Sequence, residues 1–247
     1  KNMKKLLLIL LCLPMIGSTQ NIGDYYQGGI VFYIDGNGGG LVAAAHDITD
    51  NSGNLFAEWG CYGNSFTGAD GLEIGTGKQN TIDIVEFCDT LLTAADICAN
   101  LVLEGYSDWF LPSRDELKLI HQTIGNGDSL GLGNIGNLCE YTNPLYPDSL
   151  VCWYWSSSEY NNHPCFAWEM NLYTGEFRGL SKLATKYMRP IRCINNDCSS
   201  LTAIKEHTTN KELLKVTDLL GRETKGTNQP LLYLYDDGTV EKRIVIE

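Results

Sequence analysis

A catalytic site needs a nucleophile beside a base, paired carboxylates in a cleft, or a cluster of metal ligands. Each has a nominal candidate in this chain of 247 residues. Ser156-Ser157-Ser158 offers hydroxyls, but no glycine-framed elbow surrounds it. His46, His121, His163 and His207 are scattered and sit in no catalytic motif. A strand of hydrogen-bonded serines is the simpler reading. Arg114-Asp115-Glu116 brings two carboxylates together, yet Ser113 with Glu116 three residues on is a capping box, which assigns these charges to a helix start. Asp35 and Asn37 resemble the opening of a calcium loop, but such a loop needs more oxygens at set spacing. Asp35-Gly36-Asn37-Gly38-Gly39-Gly40 reads as a glycine turn. Gly75-Thr76-Gly77 is no nucleotide fingerprint, because no strand leads into it and Gly77 opens no glycine-spaced helix. The expectation is a protein that is not an enzyme, with no catalytic residues, no metal and no cofactor.

Cysteine is the remaining reactive residue type. Cys12 lies in the apolar run Leu6 to Leu13, which follows Lys4 and Lys5 and precedes the small residues Gly17, Ser18 and Thr19. That order is expected of a secretory signal peptide over residues 1–19, with Met3 as initiator, and the run is too short to span a bilayer. No other stretch is long and apolar enough to do so. Cys61, Cys88, Cys98, Cys139, Cys152, Cys165, Cys193 and Cys198 are left, and export makes disulfides their natural state. A zinc site would require closer pairs than Cys193 and Cys198. With 18 basic and 30 acidic residues the chain is strongly acidic. Removing Lys1, Lys4 and Lys5 with the leader makes it more so, which disfavours nucleic acid and anionic lipid as partners.

These residues need elements to place them. Gly29 to Ile34 and Leu41 to Ala45, around the glycine turn, predict a β-hairpin. Residues 50–80, rich in Gly, Asn, Ser and Thr, predict a long loop. Ile82, Ile84, Val85, Cys88, Leu91 and Leu92 fit one helix, and Ala94, Ala95, Ile97, Cys98, Leu101 and Val102 a second or its continuation. A third starts at Ser113 with Leu117, Leu119 and Ile120 inward. Strand-like runs follow at Cys152 to Ser156, Cys165 to Tyr173, Glu176 to Gly179 and Tyr187 to Cys193, with Thr174-Gly175 as a tight turn. Strand alternation puts Phe166, Trp168, Met170 and Leu172 on a core face, joined by Phe177. The opposite face carries Glu169, Asn171 and Tyr173, with Glu176 and Arg178 across the turn and Tyr160-Asn161-Asn162-His163 at its rim.

Four motifs occur in order: Asp108-Trp109-Phe110-Leu111-Pro112-Ser113-Arg114-Asp115-Glu116-Leu117, Tyr154-Trp155-Ser156-Ser157-Ser158-Glu159, Ala167-Trp168, and Tyr187-Met188-Arg189-Pro190-Ile191-Arg192. Together they resemble the C-terminal domain of bacterial collagen-like adhesins, over roughly residues 24–195. The resemblance implies an α+β, C-type-lectin-like fold with two helices and two small antiparallel sheets, the first and last strands pairing. It makes Trp109, Leu111, Trp155, Trp168 and Arg192 scaffold. In such folds a helix cysteine commonly bridges to the last strand, which implies Cys98 to Cys193; Cys61 to Cys88 would staple the long loop, and Cys152 to Cys165 would join neighbouring strands. Cys139 and Cys198 are left over. The Glu-Pro-Asn or Gln-Pro-Asp loop and the Trp-Asn-Asp motif of calcium-dependent lectins are missing, so calcium-free binding is implied.

From Lys211 the chain alternates strand and turn, with Asp218-Leu219-Leu220-Gly221-Arg222-Glu223 and a final Lys242-Arg243-Ile244-Val245-Ile246-Glu247. This resembles the C-terminal sorting signal of type IX secretion, which implies that machinery as a partner. The expected domains are a signal peptide over 1–19, a lectin-like domain over 20–195, a linker over 196–210 and a β-rich sorting tail over 211–247. The expected function is a secreted or surface adhesion module that binds a glycan or protein ligand through Tyr160, Asn161, Asn162, His163, Glu169, Asn171, Tyr173, Glu176 and Arg178, a mixture that binding surfaces favour. The alternatives are an enzyme related to formylglycine-generating oxidases, if cysteines are free, and a structural matrix component.

Overall fold

Three short strands open the molecule: β1 (Tyr25–Tyr26), β2 (Gly29–Ile34) and β3 (Gly40–Ala43). The turn between β2 and β3 is closed by Asp35, whose Oδ1 accepts from Asn37 N at 2.7 Å and Gly39 N at 2.9 Å. That turn sets the register Val31 to Val42, and β3 pairs in turn with a strand near the end of the domain, Leu41 to Cys193. The computed structural model describes residues 20–50, 52–63, 66–138, 152–160, 162–196, 198, 213–217, 230–235 and 240–244. The expected leader, Cys139, Asn161 and most of the expected linker lie outside them.

The chain divides into two units, Lys1–Thr202 and Ala203–Glu247. After β4 (Phe56–Glu58), the first unit continues with helices α1 (Gly77–Phe87), α2 (Ala94–Ala99) and α3 (Arg114–Thr123). Strands β5 (Trp153–Glu159), β6 (Phe166–Asn171), β7 (Phe177–Ser181), β8 (Thr185–Tyr187) and β9 (Ile191–Cys193) follow. They form two sheets, ordered β1-β2-β3-β9 and β4-β8-β5-β6-β7. This is an α+β layout compatible with a C-type-lectin-like domain. Among the described residues three helices are present where two were expected, and β5 meets β8 in parallel, so the second sheet is mixed. The second unit is a three-stranded antiparallel sheet, β10 (Leu213–Thr217), β11 (Pro230–Tyr235) and β12 (Val240–Ile244).

The closing strand expected over Tyr187 to Cys193 is two strands, one in each sheet. Pro190 has no N–H for a ladder, but its carbonyl accepts from Ala44 N at 2.9 Å. Arg189, fully buried, donates to Ala44 O at 2.9 Å and Gly136 O at 3.0 Å and pairs with Asp47 at 2.7 Å. Met188-Arg189-Pro190 therefore carries the chain between the sheets, with the two terminal nitrogens of Arg189 bonded inside.

Helix starts follow local chemistry. Ser113 Oγ accepts from Glu116 N at 3.3 Å, and Glu116 Oε2 accepts from Ser113 N at 2.7 Å, the reciprocal pair of a capping box. Thr93 and Asp96 repeat it at α2. Helix α1 begins at Gly77, earlier than the apolar periodicity indicates. A Cβ there would lie 2.2 Å from Glu116 Oε2, so only glycine lets the loop reach the buried carboxylate. It also ends earlier, at Phe87: Cys88 is extended and bonded to Cys61, and Leu92 takes a φ of 62°. Ile82, Leu91 and Leu92 are exposed as a result.

Glu116 gives the domain a pH signature. Burial pushes its carboxyl up to about 7 from 4.5, opposed by hydrogen bonds from Ser113, Gly75 and Gly77. A folded-state pKa above the unfolded one means the folded state binds the proton more tightly. The stability this group adds is complete below about pH 4.5 and lost as pH rises through about 7, on the order of 3 kcal/mol across the window. Urea midpoints measured from pH 4.5 to 8 are expected to show a fall that is flattened in Glu116→Gln. An unchanged slope in that variant would remove Glu116 as the cause.

Two hydrophobic clusters hold the layers together. Phe32, Leu41, Leu117, Ile120, Tyr154, Met170 and Leu172 lie in one; Trp59, Ile84, Ala95, Leu111, Trp155 and Ala167 lie in the other. Tyr154 and Trp155 are neighbours on β5, so the second sheet is packed on both faces, and all seven β5 residues are buried. A third cluster joins Val31, Val42, Trp109 and Ile194.

The disulfides depart from the expected pairing. Cys61 bonds Cys88, but Cys193 bonds Cys198 rather than Cys98, and Cys152 is bonded while Cys165 is free. Cys98 faces the second cluster on α2, whereas Cys193 belongs to the first, so the two side chains serve different cores. Among the described residues no helix is long and apolar enough to cross a membrane.

Candidate functional site

The β6–β7 hairpin carries most of the expected binding residues, and its register decides which share a face. Tyr154, Met170 and Phe177 stand opposite one another across β5, β6 and β7, and so do Trp155, Glu169 and Arg178. Side chains directly opposite lie on the same face. The first set belongs to the face of Trp168 and Phe166, the second to that of Ala167.

On the second face Glu169 is fully buried, not a surface carboxylate. Its Oε1 accepts from Arg178 Nε and its Oε2 lies 3.3 Å from Lys186 Nζ. The Arg178 guanidinium lies 3.8 Å above the Trp153 ring. Arg178 is half-exposed, but its charge is committed to Glu169 and its plane to Trp153. Asn171 is buried too. Its Oδ1 accepts from Tyr173 N at 2.9 Å and Thr174 N at 3.0 Å, and its backbone carbonyl accepts from Gly175 N. It shapes the turn, and Tyr173 and Glu176 are exposed at the tip. Glu169 and Asn171 are thus withdrawn from the expected ligand face, because the second sheet has a core on each side.

The first face is not all core either. Met170 and Leu172 are buried, but Phe166, Trp168 and Phe177 are only half-buried. Tyr160 and Trp168 ring centroids are 4.6 Å apart, Tyr160 and Phe166 6.5 Å, and Trp168 and Phe177 6.5 Å in an edge-to-face contact. His163 stacks on Phe166 at 4.7 Å. The turn that brings them together is tied by Tyr160 N to Phe166 O and by His163 N to Tyr160 O, each 3.0 Å. Asn162 is exposed beside it. Gly179 makes room: a Cβ there would sit 2.6 Å from Tyr160 Cδ2.

At one end of this row stands Arg114, the first residue of α3. Its guanidinium carbon lies 5.6 Å from the Trp168 centroid and 5.9 Å from that of Phe177. Asp115 holds it at 2.8 Å, and Ser158 Oγ accepts from Arg114 N at 3.0 Å. The Trp168 indole N–H is shielded from solvent and meets no acceptor among the described residues. Four rings and a guanidinium form a surface that can stack on a flat apolar partner and donate to its oxygens.

Sequence reasoning assigns Trp168, Phe166 and Phe177 to the core and Arg114 to a helix start. Alternation separates the two faces of β6 but is silent on where the covering layer ends. One signal was present: large aromatics cluster beside the Tyr160 loop.

The serine run is structural. Ser156 Oγ donates to Trp168 O and Ser158 Oγ to Gly71 O, while Ser157 N donates to Pro112 O. With Glu159 N donating to Ala69 O, β5 anchors the long loop before α1. Cys98 and Cys165 are free, so the cysteines beyond the expected leader do not all pair. Burial pushes the Cys98 thiol well above its usual range, which works against a thiolate there. Cys165 Sγ contacts Gly63 O at 3.7 Å. Among the described residues no group of three or more His, Cys, Asp or Glu is placed to hold a metal ion.

A family model described as the Lcl C-terminal domain matches residues 58–192, more than half of the chain. No curated protein matches it.

Proposed function

As the chain belongs to the Lcl C-terminal domain family, whose setting is adhesion at the cell surface, we propose that its first unit binds a glycan or protein ligand on the row Tyr160, Phe166, Trp168 and Phe177, without calcium. The observation that carries this reading is the half-buried ring row ending in the Arg114 guanidinium. Flat rings remove apolar area from water at little conformational cost, and the guanidinium adds direction. The module is read as a binder, not an enzyme. Its exposed neighbours Asn162 and His163 extend the row.

The same reading treats the chain as exported, with residues 1–19 as the leader and the second unit as a type IX sorting tail engaged by that machinery. The strand-turn-strand order of β10, β11 and β12 supports the tail assignment.

The test is a glycan array and a cell-binding assay with the full chain, with calcium and with chelator. Tyr160→Ala combined with Arg114→Ala is expected to weaken binding by roughly 10- to 100-fold, the loss typical of central aromatic and arginine contacts. Gly179→Ala is expected to weaken it as well, by displacing the Tyr160 ring without removing a side chain. Tyr173→Ala, at the exposed hairpin tip, is expected to bind as wild type. Binding that survives the double variant, or that chelation abolishes, would overturn the proposal.

A further inference from the structure

Leu91 and Val102 are the most exposed large hydrophobic side chains among the described residues, at 86% and 71%. Neither belongs to the aromatic row. Leu91 and Leu92 form a knuckle between two fixed points: Cys88, bonded to Cys61, precedes it, and the capping box of Thr93 and Asp96 follows. Leu92 is held at a φ of 62°, a left-handed conformation that leucine rarely adopts and that surrounding structure must enforce. A chain that spends stability to display two leucines in water places them at a contact surface more often than at a bare one.

Beside the knuckle lies a cleft of about 480 Å³. Leu92, Ile97, Leu101 and Val102 line it with aliphatic carbon, and Asp50 and Asp96 line it with carboxylates; no basic side chain among the described residues lines it. Asp50 is fixed by its own turn, its Oδ1 accepting from Ser52 N and Asn54 N at 2.8 Å each and its exposed Oδ2 from Asn54 Nδ2 at 2.9 Å. Asp96 meets Thr93 through Oδ2 alone. The charges are therefore rigid, negative and set against an apolar wall.

We propose that this cleft docks a lysine flanked by apolar residues on a partner protein. The four-carbon stem lies along Leu92, Ile97, Leu101 and Val102, and the ammonium meets Asp50 and Asp96. Lysine suits such a site because it buries its stem while keeping its head hydrated. The exposed Leu91 and Val102 give the flanking apolar residues something to cover, which a free amine would leave bare. Opposite charge also steers the partner towards this strongly acidic chain.

The test titrates the isotope-labelled full chain by nuclear magnetic resonance with three probes: the capped pentapeptide Ala-Leu-Lys-Leu-Ala, its Ala-Leu-Glu-Leu-Ala counterpart, and 1,5-diaminopentane. The lysine peptide is expected to shift amides of residues 49–50 and 92–102 saturably, and about tenfold more tightly than either other probe. Asp50→Asn keeps an acceptor for Ser52 N and Asn54 N and gives up only the exposed bond from Asn54 Nδ2, and Val102→Ser changes an exposed side chain, so both variants keep the fold. Each is expected to weaken the lysine peptide several-fold at low salt. Equal responses to the lysine and glutamate peptides, an equal response to the diamine, shifts mapping elsewhere, or no saturable shift would each overturn the assignment.

Discussion

Glu159→Leu is expected to destabilise the first unit by roughly 3–5 kcal/mol, as breaking one half of a buried ion pair does. Lys182 Nζ bonds Glu159 Oε1, and both side chains are at most 1% exposed. Glu159 Oε2 also accepts from Thr67 N at 2.9 Å, which ties the loop before α1 to β5. The Lys182 ammonium lies 4.3 Å from the Trp59 centroid, and the indole gives it its other stabilising contact. Burial lowers the Lys182 pKa and Glu159 opposes that shift. Without Glu159 the lysine sheds its proton more readily, and this sets the ceiling on the loss.

The double variant Glu159→Leu with Lys182→Met separates pairing from packing. Replacing both charges with apolar groups of similar volume is often neutral or better. Here Thr67 N stays without its acceptor, a cost of about 1–3 kcal/mol. Urea denaturation at pH 7 is therefore expected to place the double variant above Glu159→Leu and below the wild type. A double variant as weak as the sum of the two single losses would mean that the pair is not coupled.

The second large effect is expected at Asp108. Arg192 is fully buried and forks onto it, Nε to Oδ1 at 2.7 Å and Nη2 to Oδ2 at 3.0 Å. The same guanidinium donates to Gln27 O at 3.0 Å and to Asn196, and its carbon lies 3.9 Å from the Tyr106 centroid. Asp108→Ala leaves a buried guanidinium that cannot discharge itself, since arginine does not deprotonate in proteins. A loss of roughly 3–5 kcal/mol follows. Arg192→Lys should also be costly, by about 2 kcal/mol, because an ammonium cannot reproduce the fork. Amide hydrogen exchange is expected to show the loss first in β2 and β3, where Val42 stands opposite Arg192. Protection that falls evenly over both sheets would mean that Arg192 does not anchor the first sheet in particular.

Local chemistry is legible wherever a few neighbouring residues decide the outcome. Ser113 and Glu116 mark the start of α3 because a capping box is completed within four residues. The glycine turn at Asp35 is legible for the same reason: its carboxylate bonds the chain two and four residues on. Helix α1 is less legible. Its start depends on Gly77 fitting beneath Glu116, which is 39 residues away, and its end on a disulfide from Cys88 to Cys61. Apolar periodicity carries Leu91 and Leu92 into a helix that the crosslink has already stopped.

The hydroxyls, carboxylates and histidines that raised catalytic readings can be followed one by one. Ser156 and Ser158 spend their hydroxyls on backbone carbonyls, and Glu116 spends its carboxylate on the N–H groups of Ser113 and Gly75. His121 Nδ1 lies 2.9 Å from Leu172 O, behind the β6–β7 turn. His163 stacks on Phe166 in the surface row. Apart from Ser113 and Phe166, none of these partners is a sequence neighbour of the group it meets, so the rest lay beyond inspection of the chain.

By itself, the sequence determined the α+β character, the polar and aromatic alternation of the β6–β7 hairpin and the ordered motifs by which the family is recognised. These depend on residue type and on spacings within a turn or a strand. Tertiary structure alone decided which of those residues face a ligand. Alternation is blind to a second covering layer, so Glu169 and Asn171 read as surface although a core packs on each side of the sheet. Trp168 reads as core although the layer over its face stops short of it. Solvent exposure is set by what other segments lay on a strand, and that depends on contacts between residues far apart in the chain.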